Sequence, residues 1–144
     1  MWDARDGRRS VKNLHGPHVC GDSIDFLSTT DLPRLVIGSW RKSKSITIWD
    51  SKADRIEDCE SQESHDSNLI YGLQVINRSS SKQLCITVGC SPNQVRICDV
   101  ENNFNTSGLQ LTGDRTASCV CQGYEGNDSH IFVGNGNMIT RFAL

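Results

Sequence analysis

A two-residue signature at the end of a short apolar run recurs along this chain at a nearly constant interval. The signature is present at Trp2-Asp3, Trp49-Asp50 and Cys98-Asp99, a spacing of about 48 residues. A second motif recurs at a similar spacing. It consists of an apolar residue followed by glycine and a small or polar residue, and it occurs at 37–39, 88–90 and 133–135. Such a period predicts a repeat architecture, in which each unit buries its faces against its neighbours.

Short β-like runs fill the repeats, and no window shows the sustained i, i+3, i+4, i+7 apolar spacing of an amphipathic helix. Gly, Asn, Asp and Ser bound these runs, as expected for strands joined by turns. The runs are 23–27, 34–39, 45–50, 69–76, 83–90, 94–100, 108–112, 117–124, 130–135 and 138–144. Some alternate apolar with polar residues and others are apolar throughout, so the sequence predicts an all-β fold.

The units "GSWRKSKSITIWD" and "GCSPNQVRICD" resemble WD repeats, the four-stranded blades of G-protein-beta-like β-propellers. In that family a Trp-Asp pair ends the third strand, and a small residue lies in the second. The resemblance implies a partial β-propeller of about three four-stranded antiparallel blades. It covers the whole chain as the end of a blade (1–16), a full blade (17–60), a full degenerate blade (61–113) and an incomplete last blade (114–144).

The resemblance also implies a structural role for three residues of the first full unit. Family members lock each blade with a hydrogen-bond relay of His, Ser, Trp and Asp, which here would use His18, Ser39 and Trp49. The turn that should supply the Asp instead reads "WRKSK", and cysteines replace the Ser and the Trp in the next unit. We therefore expect packing, more than polar relays, to stabilise these blades.

A closed propeller typically has about 4–8 blades, so this chain could not close a ring alone. We expect it to be the carboxy-terminal part of a longer propeller, whose remaining blades would cover its terminal faces. The alternative is a short arc that completes itself by self-association. A separate sandwich domain is a third possibility, which would predict a stable monomer of this length.

The turn after the second strand of the first full unit is the candidate for partner contact, through Trp40, Arg41, Lys42 and Lys44. Trp and Arg are favoured at the centre of interfaces, and loops on a rigid scaffold commonly carry function. The sequence thus predicts a non-catalytic scaffold that binds a protein or peptide. The plainer interpretation is a solvated turn whose Trp covers a neighbouring blade. A second basic stretch, Arg5–Arg9, is predicted to be a turn on the opposite face.

The alternative function is a small all-β metal-binding or hydrolytic protein that uses His18, Cys119 and Cys121. Cys119 and Cys121 should share one face of a strand, but no second well-spaced ligand pair accompanies them, as zinc sites usually require. His18 lies close to carboxylates in "HVCGDSIDF", yet closeness in sequence does not make a catalytic triad. We therefore expect no enzymatic activity, no cofactor and no metal.

The seven cysteines are odd in number, and most lie inside apolar runs, which favours buried thiols in a reducing compartment. A net charge of −2 argues against a dominant nucleic-acid surface. No apolar run approaches the length of a membrane span, and "MWDARDGRRS" has no signal-peptide core. The sequence predicts an intracellular, cytoplasmic protein without nucleic-acid or membrane partners.

Overall fold

The computed structural model describes residues 2–3, 5–10, 13–27, 34–50, 54–59, 69–79, 82–125 and 128–143. Every regular element within these ranges is a β-strand, and the all-β prediction is confirmed. The strands are β1 (Trp2–Asp3), β2 (Asp6–Ser10), β3 (Ile24–Leu27), β4 (Arg34–Gly38), β5 (Ile46–Asp50), β6 (Arg55–Cys59), β7 (Leu69–Ser79), β8 (Lys82–Cys90), β9 (Gln94–Asp99), β10 (Asn105–Leu111), β11 (Ala117–Glu125), β12 (Asp128–Asn135) and β13 (Met138–Ala143).

The strands form antiparallel sheets in simple chain order. The first sheet contains β3–β6, the second β7–β10 and the third β11–β13, and β1 pairs with β2 in a separate two-stranded ribbon. Each strand within a sheet is hydrogen-bonded to the next strand along the chain. Four-, four- and three-stranded antiparallel sheets in this order are consistent with a partial propeller.

The first strands of the sheets lie side by side, and apolar cores fill the space between neighbouring sheets. β7 contacts β3 on one side and β11 on the other. Val36 and Ile48 of the first sheet pack with Val75, Cys85 and Phe104 around the second. A second core joins the opposite face of the second sheet to the third sheet, through Ile76, Ile86, Val88, Val95, Ile131 and Val133. The second sheet is therefore covered on both faces, as an interior blade would be.

Hydrogen bonds and one close backbone approach join the first sheet to β7 of the second sheet. Asp25 Oδ2 accepts a hydrogen bond from the Val75 amide at 2.8 Å, and the Leu73 amide donates to the Asp22 carbonyl at 3.0 Å. Gly38 permits close contact, because a Cβ atom there would lie 2.5 Å from Ile70 Cγ2. These contacts fix the relative position of the sheets beside the turn between β4 and β5.

The structure differs from the sequence predictions in two strands. The full blade predicted over 17–60 requires a fourth strand, but no run was assigned to β6, because "RIEDC" carries three charged residues and has no clear alternation. The turn predicted over Arg5–Arg9 is wrong for most of its length, since Asp6–Ser10 is strand β2. Trp2 pairs with Ser10 and Asp3 with Asp6, so the chain reverses between Asp3 and Asp6. Among the described residues, no helix is long and apolar enough to cross a membrane.

Candidate interaction surface

The turn between β4 and β5 is closed at its base by two hydrogen bonds to one carbonyl. The Ser39 amide donates to Ser45 O at 2.8 Å, and Ser39 Oγ donates to the same oxygen at 3.1 Å. Lys44 has a φ of 54°, the left-handed conformation that allows the chain to return into β5. Residues 40–44 therefore project from a fixed base at the end of the hairpin.

Arg41 is bound within its own sheet. Its Nη2 lies 2.9 Å from Asp58 Oδ1 on β6, and its Nε donates to Ser39 Oγ at 3.4 Å. Both charged side chains are about one-third exposed, and such surface pairs contribute about 0–1 kcal/mol. The contribution of Arg41 is mainly to orient the turn, since its charge is already compensated by Asp58.

Trp40 lies where three parts of the molecule meet. Its amide donates to the His18 carbonyl at 3.0 Å, which attaches the segment before β3 to the turn. Its ring makes a T-shaped contact with Tyr71 of the second sheet, with ring centroids 5.1 Å apart and an interplanar angle of 88°. Edge-to-face pairs of this kind contribute about 0.5–1.5 kcal/mol beyond burial. Trp40 nevertheless remains 43% exposed.

Tyr71 contacts the backbone of Gly21 and the thiol of Cys90. Its carbonyl lies directly against Gly21, where a Cβ would approach to 2.4 Å. The Cys90 thiol donates to Tyr71 Oη at 3.7 Å. This hydrogen bond, together with partial burial, raises the pKa of Tyr71 above its ordinary value, so the phenol is neutral at physiological pH. The ring is thus positioned as an uncharged aromatic support for Trp40.

Val19, Trp40, Lys42 and Tyr71 make up what we call the Trp40 surface. Val19 follows the carbonyl that binds Trp40 and is 41% exposed. Lys42 and Lys44 are exposed in the turn, and Lys42 forms no ion pair with any described residue. The surface therefore combines an aromatic pair, an aliphatic side chain and one lysine without an ion pair to a described residue.

The structure brings the three predicted relay residues together only in part. The His18 carbonyl contacts the turn, but its side chain is exposed. Ser39 Oγ bonds to Ser45 and Arg41. Trp49 is buried opposite Leu35, and Ser39 lies four residues from Leu35, a separation of about 13 Å along a strand. Ser39 and Trp49 are therefore not placed side by side.

The residues of the metal or hydrolytic alternative lie in separate parts of the fold. His18 precedes β3, whereas Cys119 and Cys121 lie on β11 of the third sheet, where both are exposed. Across the described ranges, no group of three or more His, Cys, Asp or Glu side chains is placed to hold a metal ion. The alternative gains no support from this arrangement.

The expectation that the cysteines are buried holds for part of the set only. Cys85 and Cys98 are buried and face each other across β8 and β9, whereas Cys119 and Cys121 are exposed on the outward face of the third sheet. The third sheet has no further sheet against that face within the described residues, which explains their exposure. All seven cysteines lie in the described ranges, and none forms a disulfide.

A cavity of about 390 Å³ lies between β6 and the turn that follows β9. Arg34, Glu57, Cys59 and Phe104 are among its lining residues. Burial, with the nearby charges of Glu57 and Asp58, raises the pKa of the Cys59 thiol to about 11. The thiol is therefore protonated at neutral pH and is a poor nucleophile there.

The sequence singled out Trp40 and its turn as a candidate contact, which stays a prediction, and it gave no indication of Tyr71, Val19 or Asp58. Tyr71 belongs to a different repeat, and nothing in its run "LIYGLQVI" marks it as the neighbour of Trp40. The pairing of Arg41 with Asp58 depends on β6, the strand to which no sequence run was assigned. No protein-family model matches the chain, and no curated protein sequence is similar to it.

Proposed function

We propose that this chain is part of a WD-repeat β-propeller and acts as a non-catalytic scaffold for protein–protein interaction, with the Trp40 surface as a contact site. The observation that carries the proposal is the position of Trp40. Its ring is fixed by Tyr71 and its amide by His18, yet nearly half of the side chain is exposed. A rigid, partly exposed aromatic side chain is the usual anchor of a protein interface.

The fold supports the scaffold part of this proposal. The sheets are stacked first strand to first strand, and the turn between β4 and β5 projects from them on a fixed base. A rigid base lowers the entropy that the turn loses when a partner binds. The odd number of cysteines, most of them inside apolar runs, supports an intracellular, cytoplasmic location, since a secreted disulfide framework usually uses an even number.

The test is affinity purification from cell lysate with quantitative mass spectrometry, comparing wild type, Trp40→Ala and Tyr124→Ala. Tyr124 is a matched control, because it is an aromatic residue 73% exposed on the third sheet and away from the Trp40 surface. We expect a set of bound proteins that Trp40→Ala loses and Tyr124→Ala retains, with unchanged circular dichroism for both variants. Identical sets of bound proteins from all three chains would refute the proposal.

A further inference from the structure

We infer that the Trp40 surface takes an acidic segment of a partner protein that carries an aliphatic or aromatic side chain, and that it disfavours basic segments. This inference rests on the proposed function and adds the chemical class of the partner. The observation that carries it is the arrangement of charge around the aromatic pair. Arg41 of the turn is neutralised by Asp58, whereas Lys42 forms no ion pair with a described residue.

The first step concerns the cations of the turn. Arg41 is bound to Asp58 at 2.9 Å and therefore contributes little net field at the surface. Lys42 is exposed and forms no ion pair with a described residue. Lys44 is exposed in the same turn but already makes a contact of its own, so the inference rests on Lys42. Surface charges of one sign attract segments of the opposite sign and repel like charges, which favours one class of partner.

The second step concerns the apolar part. Trp40 and Val19 are 43% and 41% exposed, and Tyr71 of the second sheet makes a T-shaped contact with the Trp40 ring. An aliphatic or aromatic side chain of the partner can lie against these groups while its neighbouring carboxylates reach Lys42. Apolar burial supplies affinity, and the charges supply orientation and selectivity.

One carboxylate opposes this preference and provides an internal test. Asp22 is exposed, and it follows Gly21, which lies against the Tyr71 carbonyl. Its negative charge should weaken the binding of acidic segments. Neutralising Asp22 and reversing Lys42 should therefore change the affinity for an acidic segment in opposite directions.

The experiment measures fluorescence polarisation of three fluorescein-labelled peptides of about twelve residues, each titrated with the full chain. The peptides alternate leucine with glutamate, with serine or with lysine. We expect the glutamate peptide to bind about tenfold more tightly than the serine peptide, and the lysine peptide to bind most weakly. Lys42→Glu should abolish the preference, and Asp22→Asn should strengthen it about twofold to threefold.

Variants of the aromatic residue separate a specific site from general charge attraction. Trp40→Ala should lower the affinity for the glutamate peptide about tenfold or more, whereas Tyr124→Ala should leave it unchanged. Trp40→Phe serves if the alanine variant fails to fold, and it should retain part of the binding. Unchanged binding of the glutamate peptide to Trp40→Ala would overturn the inference, because charge alone would then account for it.

The results also separate this inference from the proposed function. If all three peptides bind with equal affinity and Trp40→Ala loses that binding, the preference for acidic segments is wrong, whereas the Trp40 surface remains a contact site. If no peptide binds while lysate proteins are still lost from Trp40→Ala, the inference is equally wrong and the proposed function survives. If Trp40→Ala keeps the binding of both the peptides and the lysate proteins, the inference and the proposed contact site are both wrong.

Discussion

Asp25 uses its two carboxylate oxygens for two different parts of the molecule. Oδ1 accepts from the adjacent Phe26 amide at 2.7 Å, and Oδ2 accepts from the Val75 amide of the second sheet at 2.8 Å. Val75 is only 9% exposed, so solvent has little access to its amide to replace this acceptor. A buried donor that loses its partner costs about 1–3 kcal/mol. Asp25 is thus a polar connection between two sheets whose other contacts are largely apolar.

We predict that Asp25→Ala lowers the free energy of unfolding by about 1–3 kcal/mol, measured by urea denaturation. Asp114→Ala is the control, because Asp114 is exposed in the turn before β11 and no hydrogen bond of its side chain is found among the described residues. Its substitution should change stability by less than about 0.5 kcal/mol. Equal effects of the two substitutions would show that the Val75 amide finds another acceptor.

The protonation of Cys59 makes stability depend on alkaline pH. Burial, with the charges of Glu57 and Asp58, raises the pKa of this thiol from 9.0 to about 11 in the folded chain. Between these values the unfolded chain has released the proton and the folded chain still holds it. Stability therefore falls as pH rises through this range.

The measurement is the urea midpoint at pH 8, 9 and 10 for wild type and Cys59→Ala. We expect the variant to lose less stability than wild type between pH 9 and 10. Burial also raises the pKa of Cys85. Cys85 therefore adds the same pH dependence of stability to wild type and to Cys59→Ala, and it does not affect the comparison. Parallel pH profiles for the two chains would exclude a contribution from Cys59.

The candidate site shows what can be predicted from individual residues and what cannot. Trp40 and the basic residues of its turn were identifiable, because a Trp beside cations between two strands is unusual for a simple turn. The internal neutralisation of Arg41 by Asp58, and the support from Tyr71, depend on contacts between residues 17 and 31 positions apart. Such contacts follow from sheet register and sheet stacking, which a single sequence does not specify.

At the scale of the strands, the repeated glycines noted in the sequence have a packing explanation at two positions. A Cβ on Gly38 would lie 2.5 Å from Ile70 Cγ2 and 3.2 Å from Ser23 Cβ. A Cβ on Gly134 would lie 2.5 Å from Cys119 Sγ on the neighbouring strand. Gly38 therefore allows the first and second sheets to approach closely, and Gly134 allows β12 and β11 of the third sheet to do so.

We predict that Gly38→Ala destabilises the chain by about 1–3 kcal/mol, because β4 must move away from β7 to accommodate the new methyl group. Ile70→Ala removes Cγ2, the nearest atom that this methyl group would meet, and leaves Ile70 Cβ at 3.1 Å and Ser23 Cβ at 3.2 Å. In a double-mutant cycle followed by urea denaturation, the double variant should lose less stability than the sum of the single variants. Strict additivity would mean that Gly38 and Ile70 do not restrict each other.

Apolar strands were predictable to within a few residues, and polar outer strands were not. The runs 34–39, 45–50 and 94–100 agree closely with β4, β5 and β9. β6 and most of β2 have little apolar content, and they form strands because a neighbouring strand offers unpaired backbone groups. Hydrogen bonding to a neighbour leaves no signature in the strand's own composition, so the composition of β6 could not reveal it.

At the scale of the whole molecule, the outward faces of the first and third sheets carry exposed apolar side chains. Phe26 is paired with Leu35 on the face opposite Val36 and is 60% exposed. Ile139 is paired with Gly134 on the face opposite Val133 and is 78% exposed. Exposed apolar faces of this kind promote association, whereas the second sheet is covered on both sides.

We predict that the chain self-associates when its concentration is raised from about 5 to about 100 µM, as measured by size-exclusion chromatography with light scattering. The double variant Phe26→Lys/Ile139→Lys should shift the distribution towards monomer, because each lysine would have to be desolvated in the contact. Tyr124→Lys is the control, since Tyr124 is similarly exposed but lies on the opposite face of the third sheet from Ile139. A monodisperse wild-type monomer at the highest concentration would show that these faces do not drive association, and it would favour a self-contained sandwich over an open arc of blades.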